Sequence, residues 1–167
     1  MAEMDHAQVE DRMWKAISDD RLGMLGLTGP DAGHFQPMSA YHEQETHHLW
    51  FFSYADNKLS APLGDGKTQE AMFHFVDKER QVWACIMGAL SSSRSRAHLD
   101  KFWDSQAQAW FAEGKDDLKL TMLRFEPRQA EVWINEKGLV RYGLGVLKAN
   151  LGETTPDPGV HQTIQLS

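Results

Sequence analysis

The sequence predicts a mainly β fold with peripheral α-helices, built as an antiparallel barrel rather than a parallel α/β sheet. Apolar and aromatic runs of strand length recur six to eight times along the 167 residues. Turn residues separate most of them at short intervals, too short for the helical crossovers that parallel strands need. Helical periodicity is confined to the two ends and one excursion in the second half, so helices decorate the sheet and do not alternate with it.

Taken in order, Val9, Met13 and Ile17 recur every four residues between about Asp5 and Asp19, which predicts an amphipathic first helix. LGMLGLTG is too densely apolar for a surface helix and reads as a strand, closed by turn residues Pro30, Asp31 and Gly33. A second strand runs from His34 to Tyr41, with Pro37 inside it marking an edge, a bulge or an opening in the ladder. A third, aromatic strand runs from His47 to Ser53, with Trp50 and Phe51 as core residues. Asp56 is placed to cap a short helix containing Lys58 and Leu59, ended by Pro62 and Gly64.

Strands at about Thr68 to Val76 and Gln81 to Ser91 flank a tight polar turn, with Phe73 and Phe75 on one face. Leu99, Phe102 and Trp103 then fall at helical spacing, and Trp110 and Phe111 close a second short turn. LKLTMLRFEP and QAEVWIN read as a second hairpin turning at Pro127 and Arg128. A C-terminal helix and tail occupy about 139–167, ending in a strand at HQTIQL.

This length suits a single domain over residues 1–167, and a 41% hydrophobic, 25% charged composition is that of a folded chain. A formal net charge of −7 with no basic run argues against nucleic acid or an anionic membrane as partner. The one cysteine, Cys85, lies in the apolar run VWACIM, where a buried thiol and a reducing cytoplasm are expected. The acidic start MAEMDHAQVEDR lacks the order of a secretion signal, and no apolar stretch reaches membrane-spanning length.

HEQETHH does not have the four-residue His spacing of a zinc helix and is expected to be a solvated hairpin turn, so no metal site is predicted. GLGVLK follows no strand and is not a dinucleotide fingerprint, and no Ser sits in a nucleophile elbow. The stretch His34–Lys58 stands out instead. It sets an apolar wall containing a proline beside hydroxyl, amide and ammonium donors, the combination a phosphate-bearing planar ligand needs. Trp110 and Trp133, next to polar loops, are further candidates for lining a site.

FQPMSA, LWFFSYADNK, WFAEGKDDLKL and AEVWI, in that order and spacing, resemble the bacterial general stress proteins of the pyridoxamine 5′-phosphate oxidase-like, FMN-binding split-barrel superfamily. The resemblance implies a six-stranded antiparallel split β-barrel, a homodimer, and FMN held in clefts at the subunit interface. It also assigns cofactor-binding roles to Gln36, Pro37, Met38, Phe52, Ser53, Asn57 and Lys58, and places Trp133 close to the flavin. The family's strand motif is Arg-Pro-Met, and this chain has Gln36 at the first position. A carboxamide hydrogen-bonds without charge, so a contribution of roughly 1.5–3 kcal/mol falls to about 1, and weaker FMN binding is expected.

Arg141 is a further candidate, as a substrate-side cation. The activity implied is oxidoreduction between a reduced nicotinamide and a small acceptor whose identity the residues do not give, with no general acid or base named. The alternative is a non-catalytic module that binds, stores or senses FMN or a related ligand, and a haem-handling barrel, supported by eight His, ranks third.

Overall fold

Asp5 starts the first helix by accepting a hydrogen bond from the Gln8 amide (2.8 Å), while the Gln8 side chain accepts one from the Asp5 amide (3.0 Å). This helix, α1 (His6–Asp20), buries Val9, Met13, Trp14, Ala16 and Ile17, the periodic face expected of it. It ends at Arg21, where φ turns to 66° and the amide closes on the Ile17 carbonyl. In the computed structural model the described residues are 4–64, 66–135, 138–152 and 159–166.

The strands are β1 (Leu22–Leu27), β2 (Gln36–Ser39), β3 (Tyr41–Glu43), β4 (His48–Tyr54), β5 (Thr68–Asp77), β6 (Val82–Ser93), β7 (Leu120–Ile134) and β8 (Val160–Gln165). All pair antiparallel in the order β2-β1-β5-β6-β7-β4-β3, with β8 added to β7. The strand expected from His34 to Tyr41 is two strands: the chain changes partner at Ala40, so β2 pairs β1 and β3 pairs β4. One extended segment therefore supplies both ends of the sheet path. Counting it once, β1, β2/β3, β4, β5, β6 and β7 make the six strands of a split barrel, with β8 as an addition.

The split follows from β7, whose first half (Leu120–Phe125) pairs β4 and whose second half (Gln129–Ile134) pairs β8. The hairpin expected at Pro127 and Arg128 is not formed, and β7 runs through both residues. Gly88 pairs Pro127 and Met87 pairs Gln129, leaving Arg128 as the extra residue of a β-bulge. A bulge tolerates a proline because the ladder there already lacks a bond. Gly88 is required opposite it, since a Cβ would lie 2.2 Å from the Glu126 carbonyl oxygen.

The inner face is closed by α1 and filled by Leu25, Leu49, Phe51, Phe73, Phe75, Ile86 and Phe125, all essentially inaccessible. Each such side chain contributes about 1.5–3 kcal/mol relative to exposure. On the other face of β4, Tyr41, Trp50, Phe52, Leu120 and Met122 form a second cluster. Two short helices roof it, α2 (Arg96–Phe102) and α3 (Ser105–Trp110), capped by Ser95 and Asp104. The helix expected after Asp56 is replaced by turns over residues 55–60 and a 3₁₀ turn at Ala61–Leu63, because Asn57, not Asp56, caps the local amides. Helix α4 covers Gly138–Asn150.

Gly88→Ala is expected to lower stability by about 1–3 kcal/mol through this backbone collision. Urea unfolding followed by circular dichroism reads it, and an unchanged midpoint would contradict the bulge geometry.

Candidate functional site

Cross-strand register sets which way the motif on β2 points. Gln36 lies opposite Leu25 and Met38 opposite Gly23, on the inward side, while Pro37 lies opposite Met24 on the outward side. Met38 packs against the main core, Gln36 is half-buried, and Pro37 is exposed. Across the split, the turn after β4 carries Asn57, whose amide closes on the Tyr54 carbonyl (3.0 Å) and whose side-chain oxygen accepts from the Leu59 amide (2.9 Å).

That bond orients the Asn57 carboxamide, and Gln36 answers it. Gln36 Nε2 donates to Asn57 Oδ1 (2.8 Å), and Asn57 Nδ2 donates back to Gln36 Oε1 (3.3 Å). Behind them the buried hydroxyls of Ser53 and Ser60 are 2.8 Å apart. Lys58, next to Asn57, is exposed and makes no hydrogen bond or ion pair among the described residues. The fold thus joins Gln36 to Asn57, with Lys58 exposed beside Asn57 and Pro37 on the outward face of β2, while Met38 and the Ser53 hydroxyl are directed into the interior.

The remaining candidates lie elsewhere within the chain. Phe52 alternates to the opposite face from Ser53 and is packed edge-on against Tyr41 (5.3 Å) and Trp103 (5.5 Å). Trp110 ends α3 and is 76% exposed. Trp133 stands on the outward face of β7, stacked on His161 at 4.6 Å between ring centres. The side chain of Arg141 lies outside the described residues. Among the described residues no three His, Cys, Asp or Glu side chains are grouped to hold a metal, and no helix is long and apolar enough to cross a membrane.

The model of the family described as pyridoxamine 5′-phosphate oxidase-like matches residues 8–157, from α1 past α4. The chain belongs to the pyridoxamine 5′-phosphate oxidase-like family. A solved structure of a candidate general stress protein 26 from Jannaschia sp. CCS1 is 32% identical with a TM-score of 0.82, over 96% of this chain and 99% of that one. A candidate general stress family protein from Xanthomonas campestris pv. campestris is 37% identical with a TM-score of 0.71, over 83% and 94%. The general stress FMN/FAD binding protein of Xanthomonas citri is 35% identical with the same TM-score of 0.71, over 80% and 93%. No curated protein matches the chain.

In this member of the pyridoxamine 5′-phosphate oxidase-like family, two polar clusters beside the barrel escaped the sequence reading. Glu43, only 7% exposed, accepts from Trp50 Nε1 (3.1 Å), Thr46 Oγ1 (2.9 Å) and Lys101 Nζ (3.0 Å), and faces His98 Nε2 at 3.2 Å. Burial alone would raise its pKa, but the bonds from Lys101, Thr46 and Trp50 outweigh it and hold the carboxyl at about 2. This hub ties α2 to the β3–β4 hairpin. Strand alternation gave the available signal, since Glu43 shares the face of buried Tyr41.

The second cluster corrects the picture of HEQETHH as wholly solvated. The turn itself is exposed, but His42 is half-buried, stacked on Trp14 (4.6 Å) and bonded to Ser18 Oγ (3.0 Å) and His47 Nδ1 (3.1 Å). Burial first, and the neighbouring His47 second, lower the His42 pKa from 6.5 to about 4. The unfolded chain therefore takes up this proton first as pH drops. The stability His42 contributes is full above about pH 6.5 and lost as pH falls toward 4. Urea midpoints should drop between pH 7 and pH 5, and less steeply in His42→Phe, which keeps a ring on Trp14. An equal slope in the variant would exclude His42 as the source.

Proposed function

We propose that the chain is an FMN-binding, stress-related flavoprotein acting as a homodimer, with its flavin cleft at the subunit interface. The observation that carries this reading is the Gln36–Asn57 carboxamide pair, beside an exposed lysine with no partner among the described residues. The donor set suits a flavin nucleotide: Lys58 offers a cation for the phosphate, Gln36 and Asn57 offer uncharged hydrogen-bonding groups, and Pro37 offers an apolar edge. The FMN/FAD binding description of the Xanthomonas citri relative supports the same ligand class.

The outward face of β1, β5 and β6 supports the dimer. Leu22, Met24, Val76 and Met87 leave 40–55% of their surface in water there, an apolar patch that a second copy would cover. Trp133 stands on that same face of the sheet, so its role is assigned to the interface. Phe52 supports the cleft wall from behind, and the exposed Trp110 is retained as a lining residue. Residues 1–167 act as one domain in this reading. The cytoplasm is the proposed compartment, consistent with a lone cysteine, Cys85, which is half-buried on β6 and not fully buried as expected.

Bound flavin would supply hydride or electron transfer between a reduced nicotinamide and a small acceptor. The chain's residues bind and orient it: Lys58 fixes the phosphate end, and the carboxamide pair and Pro37 position the rest. A second reading, a binding or sensing module without turnover, is favoured by one feature of the cleft. Its polar side chains are carboxamides and hydroxyls beside a lysine, with no carboxylate or imidazole among Gln36, Ser53, Asn57, Lys58 and Ser60 to act as acid or base.

Purified protein mixed with FMN should show perturbed visible flavin bands, and Lys58→Ala should weaken binding about tenfold, the equivalent of about 1.4 kcal/mol. Affinity unchanged in Lys58→Ala would remove its phosphate role, and absence of FMN binding would sink the reading. Anaerobic mixing with reduced nicotinamide separates the two functions, because a pure binder leaves its flavin unbleached.

A further inference from the structure

The outward face of β5 and β6 carries a cluster of soft donors that the flavin reading does not use. Met72 and His74 alternate onto this face of β5, and Cys85 lies directly across from His74 on β6. Their donor atoms converge on one thioether: His74 Nε2 is 3.0 Å from Met72 Sδ, and Cys85 Sγ is 3.3 Å from the same sulfur. His74 is exposed, and Met72 and Cys85 are half-buried, so the cluster opens to the surface. The register sets two more thioethers beside it, with Met24 of β1 opposite His74 and Met87 of β6 opposite Met72. Phe35 tilts against the imidazole at 4.8 Å and supports the ring over the strand.

We propose that Met72, His74 and Cys85 form a binding site for a soft monovalent cation, copper(I). Thiolate and thioether are the donors that select copper(I), and imidazole suits copper as well. Ligands bonded at about 2.0–2.3 Å, the range zinc shows with nitrogen and sulfur, stand about 3.5–4 Å from one another around the ion, so these donors need to part by less than about 1 Å. Met72 has the flexible, unbranched chain for that movement. As the copper–sulfur bond forms, the Cys85 thiol gives its proton to solvent, and the thiolate neutralises the cation.

The donor set also decides against other ions. No three His, Cys, Asp or Glu side chains are grouped among the described residues, and Glu131 of β7, across from Cys85, does not complete such a group. The third donor is a thioether, which is not among the ligands of zinc, calcium or magnesium sites. All three donors belong to one chain, so the site is complete without the second copy proposed to cover this face.

The test titrates reduced, anaerobic full-length protein with copper(I) in competition with the chelator bathocuproine disulfonate. One copper per chain should be retained, and its X-ray absorption should show one nitrogen and two sulfur neighbours. Met72→Leu and His74→Phe should each weaken binding roughly tenfold or more, and Cys85→Ser further still. Circular dichroism confirms that each variant is folded. Loss of all copper from the wild type to the chelator overturns the inference. So does an affinity unchanged in both Met72→Leu and His74→Phe, which would reduce the site to an adventitious thiol ligand.

Discussion

The change of partner at Ala40 is the constraint on which the rest of the structure depends. Ala40 is fully buried and its amide donates to the Arg21 carbonyl (2.8 Å), so the crossing is pinned where α1 hands over to β1. Because the segment pairs β1 before this point and β4 after it, a single extended stretch closes the sheet into a barrel. The closure is incomplete by construction. Residues of β2 are bonded on the β1 side, which leaves Gln36 facing the turn after β4 across a gap bridged by side chains instead of backbone. The Gln36–Asn57 contact is therefore a consequence of how the barrel closes.

Polar contacts hold α1 and the two roofing helices to this frame. Arg21 at the end of α1 pairs with Asp104 at the start of α3 (2.8 Å) and lies 4.8 Å over the Tyr41 ring, and Tyr41 donates to the same carboxylate (3.0 Å). Burial, then the bond to Asp104, pushes the Tyr41 hydroxyl up to about 12, so it remains a donor across the physiological range. With the Glu43 hub on α2, these contacts fix both short helices against β3 and β4, and hence the strand that leads into the Asn57 turn. A chain of net charge −7 thus uses part of its charge in ion pairs that fasten the helices to the barrel, while Gln36 and Asn57 meet through uncharged carboxamides.

The architecture was legible where periodicity is long and unambiguous, in α1 and the strands around Phe51 and Phe73; of the residues the resemblance named, Gln36 and Asn57 are joined by hydrogen bonds. It was not legible where two structures share one local signal. Pro127-Arg128 reads equally as a turn or a bulge, and only Gly88 on the neighbouring strand, which lets the backbone of Glu126 approach, decides for the bulge. Nothing local marks Ala40 as a change of partner, since both halves are extended. Asp56 and Asn57 are both competent caps, and the tertiary pairing of Gln36 with Asn57 favours the second. The buried Glu43 and the His42–Trp14 stack depend on elements that meet only in the fold.

The most direct measurement of the central claim is the side-chain NH₂ resonances of Gln36 and Asn57 in ¹⁵N-labelled protein during titration with FMN. A flavin cleft at the split predicts that these signals shift at saturation, together with the Leu59 amide that orients Asn57. Saturable FMN binding that leaves all three unmoved, with the perturbed residues elsewhere on the barrel, would contradict it.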